Sequence, residues 1–139
     1  MQPFRLLIVN NIQAVRSSWA SIFSSRSGFT IVGEVDELND FSYIQHLQPD
    51  VILIGLKSYQ DKVTDVVGKI KKICPWTLVI VFSDQEDNTD ILSVFVAGAD
   101  GYLKKPILPA DLVRAIELTC RSGICFFPKS AKGLFLKTV

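Results

Sequence analysis

Polar side chains follow four apolar runs of this sequence, and they are the groups with which the chain could do chemistry. The residues that follow these runs provide two amides, one hydroxyl, three ammonium groups and one carboxylate. They are Asn10, Asn11, Lys57, Ser83, Asp84, Lys104 and Lys105. Amide, hydroxyl and ammonium groups can donate hydrogen bonds to an anion or to a neutral polar ligand. If the fold brings these run ends together, we expect a polar site of positive character.

The apolar runs themselves have the composition of buried strands. Continuous runs rich in β-branched residues are typical of strands covered on both faces of a parallel sheet. Three such runs are present, at Leu6–Val9, Val51–Ile54 and Leu78–Phe82. A weaker strand is predicted at Thr30–Val35, and a short one at Gly101–Leu103.

Between these runs the apolar residues recur with the period of a helix, which predicts five amphipathic helices. Asn10 or Asn11 is expected to cap the first helix, and Pro109 to open the fifth. The helical apolar positions are Ile12, Val15, Trp19, Ile22 and Phe23; Leu38, Phe41, Ile44 and Leu47; Val63, Val66, Val67, Ile70 and Ile73; Ile91, Leu92, Phe95 and Val96; and Leu112, Ala115, Ile116 and Thr119.

Strand and helix alternate five times, which predicts a doubly wound α/β fold with a parallel sheet. Ligands of such sheets bind outside the carboxyl ends of the strands, at the point where the strand order reverses. The polar residues introduced above follow the strands at that edge. The sequence therefore predicts that they share one site.

Composition narrows the function classes. The 139 residues carry 15 Lys plus Arg and 14 Asp plus Glu, so the chain lacks the basic surplus expected of a nucleic-acid or membrane-surface binder. No apolar run approaches the roughly 20 residues of a membrane-spanning helix. Three unpaired cysteines and no secretory leader predict a cytoplasmic chain with reduced, structural thiols.

Four segments carry a resemblance to a known family. They are Arg5-Leu-Leu-Ile-Val-Asn-Asn11, Pro49-Asp-Val-Ile-Leu-Ile-Gly-Leu56, Val79-Ile-Val-Phe-Ser83 and Ala97-Gly-Ala-Asp-Gly-Tyr-Leu-Lys-Lys-Pro106. Over about residues 4–121 the chain resembles a bacterial two-component response-regulator receiver domain. The resemblance implies a flavodoxin-like (βα)5 fold with strand order 2-1-3-4-5.

The resemblance also implies roles for the strand-end residues. In the family, two carboxylates after the first strand hold Mg²⁺, and an aspartate ending the third strand accepts a phosphoryl group. A hydroxyl after the fourth strand and a lysine after the fifth bind the phosphoryl oxygens, and an aromatic residue reports the switch. These positions are taken here by Asn10 and Asn11, Gly55, Ser83, Lys105 and Tyr102.

Three carboxylates of that pattern are missing, and the chemistry changes with them. Gly55 has no nucleophile, so aspartyl phosphate cannot form there. The amides of Asn10 and Asn11 are poor substitutes for a carboxylate pair that binds Mg²⁺. We therefore predict a receiver-like domain that is not an enzyme, uses no metal or cofactor and acts independently of phosphorylation.

Three interpretations of the altered pocket stay open at this point. Lys57 or Lys105 could stand where the metal would sit and lock one conformation of the switch. The pocket could instead bind a small ligand or an anion and act as a sensor. In the third interpretation the pocket is a relic and both lysines are solvated. A stand-alone adaptor protein and a phosphorelay enzyme that uses another acceptor are the alternative functions.

Partners are expected to be proteins, and neither nucleic acid nor a membrane is expected to bind this chain directly. The resemblance places the working surface on helix four, strand five and helix five, with Tyr102 near its centre. Exposed residues of Asp87–Val96 and Asp111–Arg121 would dimerise, contact an output domain or bind another regulator. Residues 1–121 form the predicted domain. Residues 122–139 resemble an extension or linker that precedes a helix-turn-helix output domain in transcription regulators.

Overall fold

A computed structural model describes residues 2–55, 60–83, 89–104, 107–128 and 134–138. Strands and helices alternate along the chain and then give way to two further strands. Their bounds are β1 Phe4–Asn10, α1 Gln13–Ser24, β2 Phe29–Val35, α2 Ser42–Leu47, β3 Val51–Gly55, α3 Gln60–Ile73, β4 Leu78–Ser83, α4 Thr89–Ala97, β5 Gly101–Lys104, α5 Pro109–Ser122, β6 Ile124–Pro128 and β7 Leu134–Thr138.

The first five strands form one parallel sheet in the order β2-β1-β3-β4-β5. This order confirms the predicted doubly wound α/β fold. In the sheet β1 pairs with both β2 and β3, so the strand order reverses there and the carboxyl ends of β1 and β3 lie side by side. The switch point predicted from the sequence is therefore the edge formed by Asn10 and Gly55.

Two apolar layers cover the sheet, which is why its central strands read as continuous apolar runs. On one face, α2, α3 and α4 pack on inward residues such as Leu7, Ile52 and Val79. On the other face, α1 and α5 pack on Leu6 and Leu53. The second layer includes Trp19 and Phe23, which confirms their predicted place in the core.

Helix ends agree with the sequence in some places and correct it in others. Pro109 opens α5 after Leu108, and Gly98 follows α4 with φ +112°, a left-handed conformation that favours glycine. The predicted cap of α1 is wrong, because Ile12 is its N-cap and makes no side-chain capping hydrogen bond. Helix α2 starts at Ser42 rather than near Leu38, and Leu38 packs in the core ahead of it.

The C-terminal strands were not predicted. β6 and β7 pair antiparallel, with Ile124 opposite Thr138, and form a two-stranded sheet of their own. β6 lies against β5 and α5. The division of the chain at residue 121 stays a prediction.

Candidate functional site

The carboxyl ends of the strands bring several of the predicted site residues to one edge. Asn10, the last residue of β1, is in register with Gly55, the last residue of β3. At the ends of the next two strands Ser83 is in register with Lys104. Three other residues of the predicted site, Lys57, Asp84 and Lys105, lie outside the described residues.

Asn10 uses its carbonyl groups to hold the turn into α1. Its side-chain Oδ1 accepts a hydrogen bond from the Ile12 backbone N–H at 2.8 Å. Its backbone oxygen accepts one from Nη1 of Arg16 at 2.6 Å. The residue is only 6% exposed. The amide oxygen that could replace a carboxylate ligand is thus committed to the local backbone.

Gly55 lies in a space where a side chain would be tightly packed. An ideal Cβ at this position would lie 3.0 Å from Cη2 of Trp19, 3.0 Å from the Phe82 backbone oxygen and 3.1 Å from Nδ2 of Asn10. At distances this short a neighbouring group would have to shift by a few tenths of an ångström. The position at which the family pattern has its phosphoacceptor is therefore crowded by an indole and a backbone carbonyl.

Trp19 is held in this position by its own packing. Its ring meets that of Phe82 edge to face, with 5.4 Å between centroids, and the residue is 5% exposed. The helical periodicity of α1 assigns Trp19 to the core. It does not say which strand end the indole reaches, so the sequence gives no signal for its contact with Gly55.

A cavity of about 360 Å³ opens beside Gly55, between α1, the ends of β1, β3 and β4, and the start of α5. Its walls are mainly apolar, whereas the sequence predicts a polar site at this edge of the sheet. The lining residues are Asn10, Asn11, Ile12, Ala14, Val15, Ser18, Trp19, Ile22, Gly55, Phe82, Ile107, Pro109 and Leu112.

Tyr102 occupies a different position from the one expected. It is 1% exposed and packs in the core layer that contains Val81, Val94 and Ala99. The prediction that Tyr102 lies near the centre of an interaction surface is corrected, because the ring is beneath that surface. Helix α4 contacts β5, and the ring of Tyr102 is buried in the core layer to which α4 contributes.

Comparison with known proteins identifies the family. Residues 6–117 match the response regulator receiver domain. The chain belongs to this family. Its five parallel strands in the order 2-1-3-4-5 agree with that assignment.

The sequence relatives are response regulators, which are regulatory proteins. The chain is 26% identical over 117 residues to the nitrate/nitrite response regulator protein NarL of Escherichia coli (strain K12), covering 84% of this chain and 54% of NarL. It is 23% identical over 135 residues to the uncharacterized transcriptional regulatory protein YxjL of Bacillus subtilis (strain 168), covering 96% and 62%. The chain thus spans about half the length of such relatives.

Solved structures share the fold. A two-component response regulator of the LuxR family from Aurantimonas sp. SI85-9A1 has a TM-score of 0.77 at 24% identity, with 85% of each chain covered. The isolated REC domain of RcsB from Salmonella enterica serovar Typhimurium has a TM-score of 0.75 at 20% identity, covering 93% and 96%. No helix within the described ranges has the length and apolar character needed to span a bilayer.

The receiver family implies a Mg²⁺ ion at this edge of the sheet, and the donors of this receiver domain do not suit one. Asn10 and Gly55 supply no carboxylate, and Oδ1 of Asn10 already accepts the Ile12 N–H. Among the described residues, no three His, Cys, Asp or Glu side chains group closely enough to hold a metal ion. The hard, charged oxygen ligands that Mg²⁺ requires are missing at these two positions.

Proposed function

We propose that this receiver domain regulates its partners without accepting a phosphoryl group at the end of β3. The observation that carries the proposal is the packing of Trp19 and the Phe82 carbonyl around Gly55. A glycine offers no oxygen for an acyl phosphate, and a Cβ at this position would crowd Trp19 and the Phe82 backbone oxygen. The site therefore lacks the nucleophile that the reaction needs.

The electrostatics of this edge support the same proposal. Phosphoryl transfer in such sites uses a Mg²⁺ ion that carboxylates hold against the phosphoryl oxygens. Asn10 instead offers a neutral amide, and its oxygen already accepts the Ile12 N–H. With neither nucleophile nor metal ligands at these positions, the domain would depend on binding events to change conformation. We propose that it is a regulatory protein-interaction module in a transcription regulator.

The proposed interaction face is the one formed by α4, β5 and α5. Helix α4 exposes apolar side chains there, with Leu92 68% exposed, Phe95 37% and Val96 75%. Apolar groups clustered on one exposed helix favour a protein partner over solvent. A second copy of the chain fits this face, as does an output domain in a longer protein. The near-neutral net charge of +1 favours protein over direct nucleic-acid partners.

Acetyl phosphate tests the proposal directly. The ¹⁵N-labelled chain is titrated with Mg²⁺ and then with acetyl phosphate while its amide spectrum and intact mass are recorded. A receiver domain that carries the aspartate serves as the positive control. We expect no added phosphoryl mass and no shifts at Gly55, Ser83 or Tyr102. A phosphoryl adduct together with shifts at those amides would refute the proposal.

A further inference from the structure

The cavity beside Gly55 has the size and lining of a small-molecule site. Its volume of about 360 Å³ lies at the lower end of the roughly 300–1,000 Å³ typical of ligand pockets. Trp19, Ile22, Phe82 and Leu112 give it aromatic and aliphatic walls. No lining residue in the described part of the chain is charged, so a ligand would bury its apolar body at little electrostatic cost.

One largely buried polar residue lines this cavity. Asn10 is 94% buried, and Nδ2 of its amide is 3.1 Å from the position of a Cβ on Gly55. Oδ1 accepts the Ile12 N–H, and no side-chain nitrogen among the described residues is both fully buried and without a partner, so Nδ2 is accessible from the cavity. A donor in such surroundings gains most from a hydrogen-bond acceptor on a ligand.

The start of α1 adds positive potential at the same place. Ile12 and Ala14 line the cavity in the first turn of this 12-residue helix, whose N-cap makes no side-chain hydrogen bond and whose first turn has no acidic residue. The guanidinium of Arg16 binds the backbone oxygen of Asn10. The partial charge of a helix N-terminus and a nearby cation both favour a negatively charged acceptor.

We propose that this cavity binds a small aromatic carboxylate. The ring lies against Trp19 and Phe82, where edge and stacking contacts are available, and the carboxylate accepts from Nδ2 of Asn10 near the α1 N-terminus. This inference deepens the proposed function. It rests on that proposal in one respect, namely that Gly55 carries no phosphoryl group. A domain that works in this way takes its signal by binding rather than by phosphoryl transfer.

Two probes that share one ring system distinguish the contribution of the hydrogen-bond acceptor to binding from that of the ring contacts. The labelled chain is titrated with 2-naphthoate and, separately, with 2-naphthylmethylammonium, whose charged end donates instead of accepting. We expect naphthoate to shift the side-chain amide of Asn10 and the methyl groups of Ile22 and Leu112. We expect the ammonium probe to bind at least about tenfold more weakly, a difference of about 1.4 kcal/mol.

Adjacent serines on α1 provide a matched pair of variants. Ser18 lines the cavity, whereas Ser17 does not, and both are exposed. We expect Ser18→Leu to weaken naphthoate binding at least about tenfold by filling the mouth of the cavity, and Ser17→Leu to leave it unchanged. Asn10→Asp keeps an acceptor for the Ile12 N–H but removes the Nδ2 donor, so it should also weaken naphthoate when the titration is done in EDTA.

Three results would overturn the inference. They are equal affinity for the two probes, shifts confined to Leu92, Phe95 and Val96 on α4, and no shift at the cavity residues at about 1 mM naphthoate. The acetyl phosphate experiment is independent of all three. A chain that takes a phosphoryl group and still binds naphthoate in this cavity would refute the proposed function and leave the ligand site standing. A chain that does neither would refute only the ligand site.

Discussion

Trp19 of α1 and Gly55 of β3 share one packing position, because Cη2 of the indole lies 3.0 Å from where a Cβ on Gly55 would be. The two residues are 36 positions apart in the sequence and meet where the predicted site has its centre. The indole is buried and rests edge-on against Phe82, so it has little freedom to move aside. The contact therefore disfavours a larger residue at position 55, where the nucleophile is also missing.

Substitution of Gly55 tests this contact. We expect Gly55→Ala to lower the free energy of unfolding by about 1–3 kcal/mol, since the added methyl group overpacks against Trp19 and the Phe82 carbonyl. Urea unfolding followed by circular dichroism measures the loss. Combining it with Trp19→Leu should reduce the loss caused by the alanine, because one of the close contacts is then removed.

Gly68 is the matched control. A Cβ at Gly68, within α3, would meet nothing within 4 Å. We expect Gly68→Ala to raise the free energy of unfolding by about 0.5–1 kcal/mol, since alanine restricts the unfolded chain and favours a helix. A loss of equal size at both glycines would show that close packing is not what distinguishes residue 55.

Much of the fold could be predicted because its causes are local. The runs at Leu6–Val9, Val51–Ile54 and Leu78–Phe82 are continuous since helices cover both faces of the sheet, and β1, β3 and β4 contain them. Asn10 and Gly55 could be placed together because each ends a parallel strand, and such ends share one edge.

The remaining features depend on tertiary contacts that no local pattern encodes. Periodicity turns Trp19 toward the sheet, but its contact with Gly55 depends on how α1 lies across β1 and β3. Asn10 could have capped α1, yet the backbone enters the helix two residues later, at Ile12, and the amide binds that N–H instead. The sheet formed by β6 and β7 depends on pairing between two short tail segments.

Charge on the exposed side of α4 tests the proposed interaction face. We expect Leu92→Lys and Val96→Lys each to weaken self-association at least about tenfold, because a buried lysine in an apolar interface loses its hydration. Sedimentation velocity over a concentration series measures the change. Ser93→Lys adds the same charge at an exposed polar position of α4 and should have a smaller effect. Equal effects from all three variants would assign the change to net charge and not to this face.

Lys71 of α3 bonds to residues at the amino-terminal ends of both β4 and β5. Nζ of Lys71 lies 3.0 Å from Oδ2 of Asp100 and donates to the Thr77 backbone oxygen at 2.9 Å, while Oδ2 also accepts the Val79 N–H. Both charged side chains are mostly buried. We expect Lys71→Met to lower the free energy of unfolding by about 1–3 kcal/mol, because it leaves these acceptors without their charged donor.

The same substitution two residues earlier is the control. Lys69 pairs with Asp65 at 3.1 Å on the exposed side of α3. An exposed ion pair one helical turn apart contributes about 0.3–0.5 kcal/mol, so Lys69→Met should have a much smaller effect in the same urea experiment. Similar losses for the two variants would mean that the contacts of Lys71 add nothing beyond those of a surface lysine.

Burial makes Cys120 a poor nucleophile in the folded domain. Desolvation, with a smaller contribution from the charge of Asp50, raises the pKa of the Cys120 thiol from 9.0 to about 12. At pH 8 the folded protein should therefore be alkylated by iodoacetamide at Cys120 about a thousandfold more slowly than the urea-unfolded chain, since the thiolate fraction falls tenfold per pKa unit. Mass spectrometry of the tryptic peptides measures the rate at this residue separately from the other two cysteines.

The raised pKa also gives the stability a dependence on pH with a definite sign. Below pH 9 the thiol is protonated in both states, whereas between pH 9 and about 12 only the unfolded state loses the proton. The free energy of unfolding should therefore fall as the pH rises through that interval. Cys120→Ala removes this contribution, so its unfolding free energy should fall less steeply over the same range. If the two slopes were equal, the Cys120 thiol would ionise alike in the folded and unfolded states.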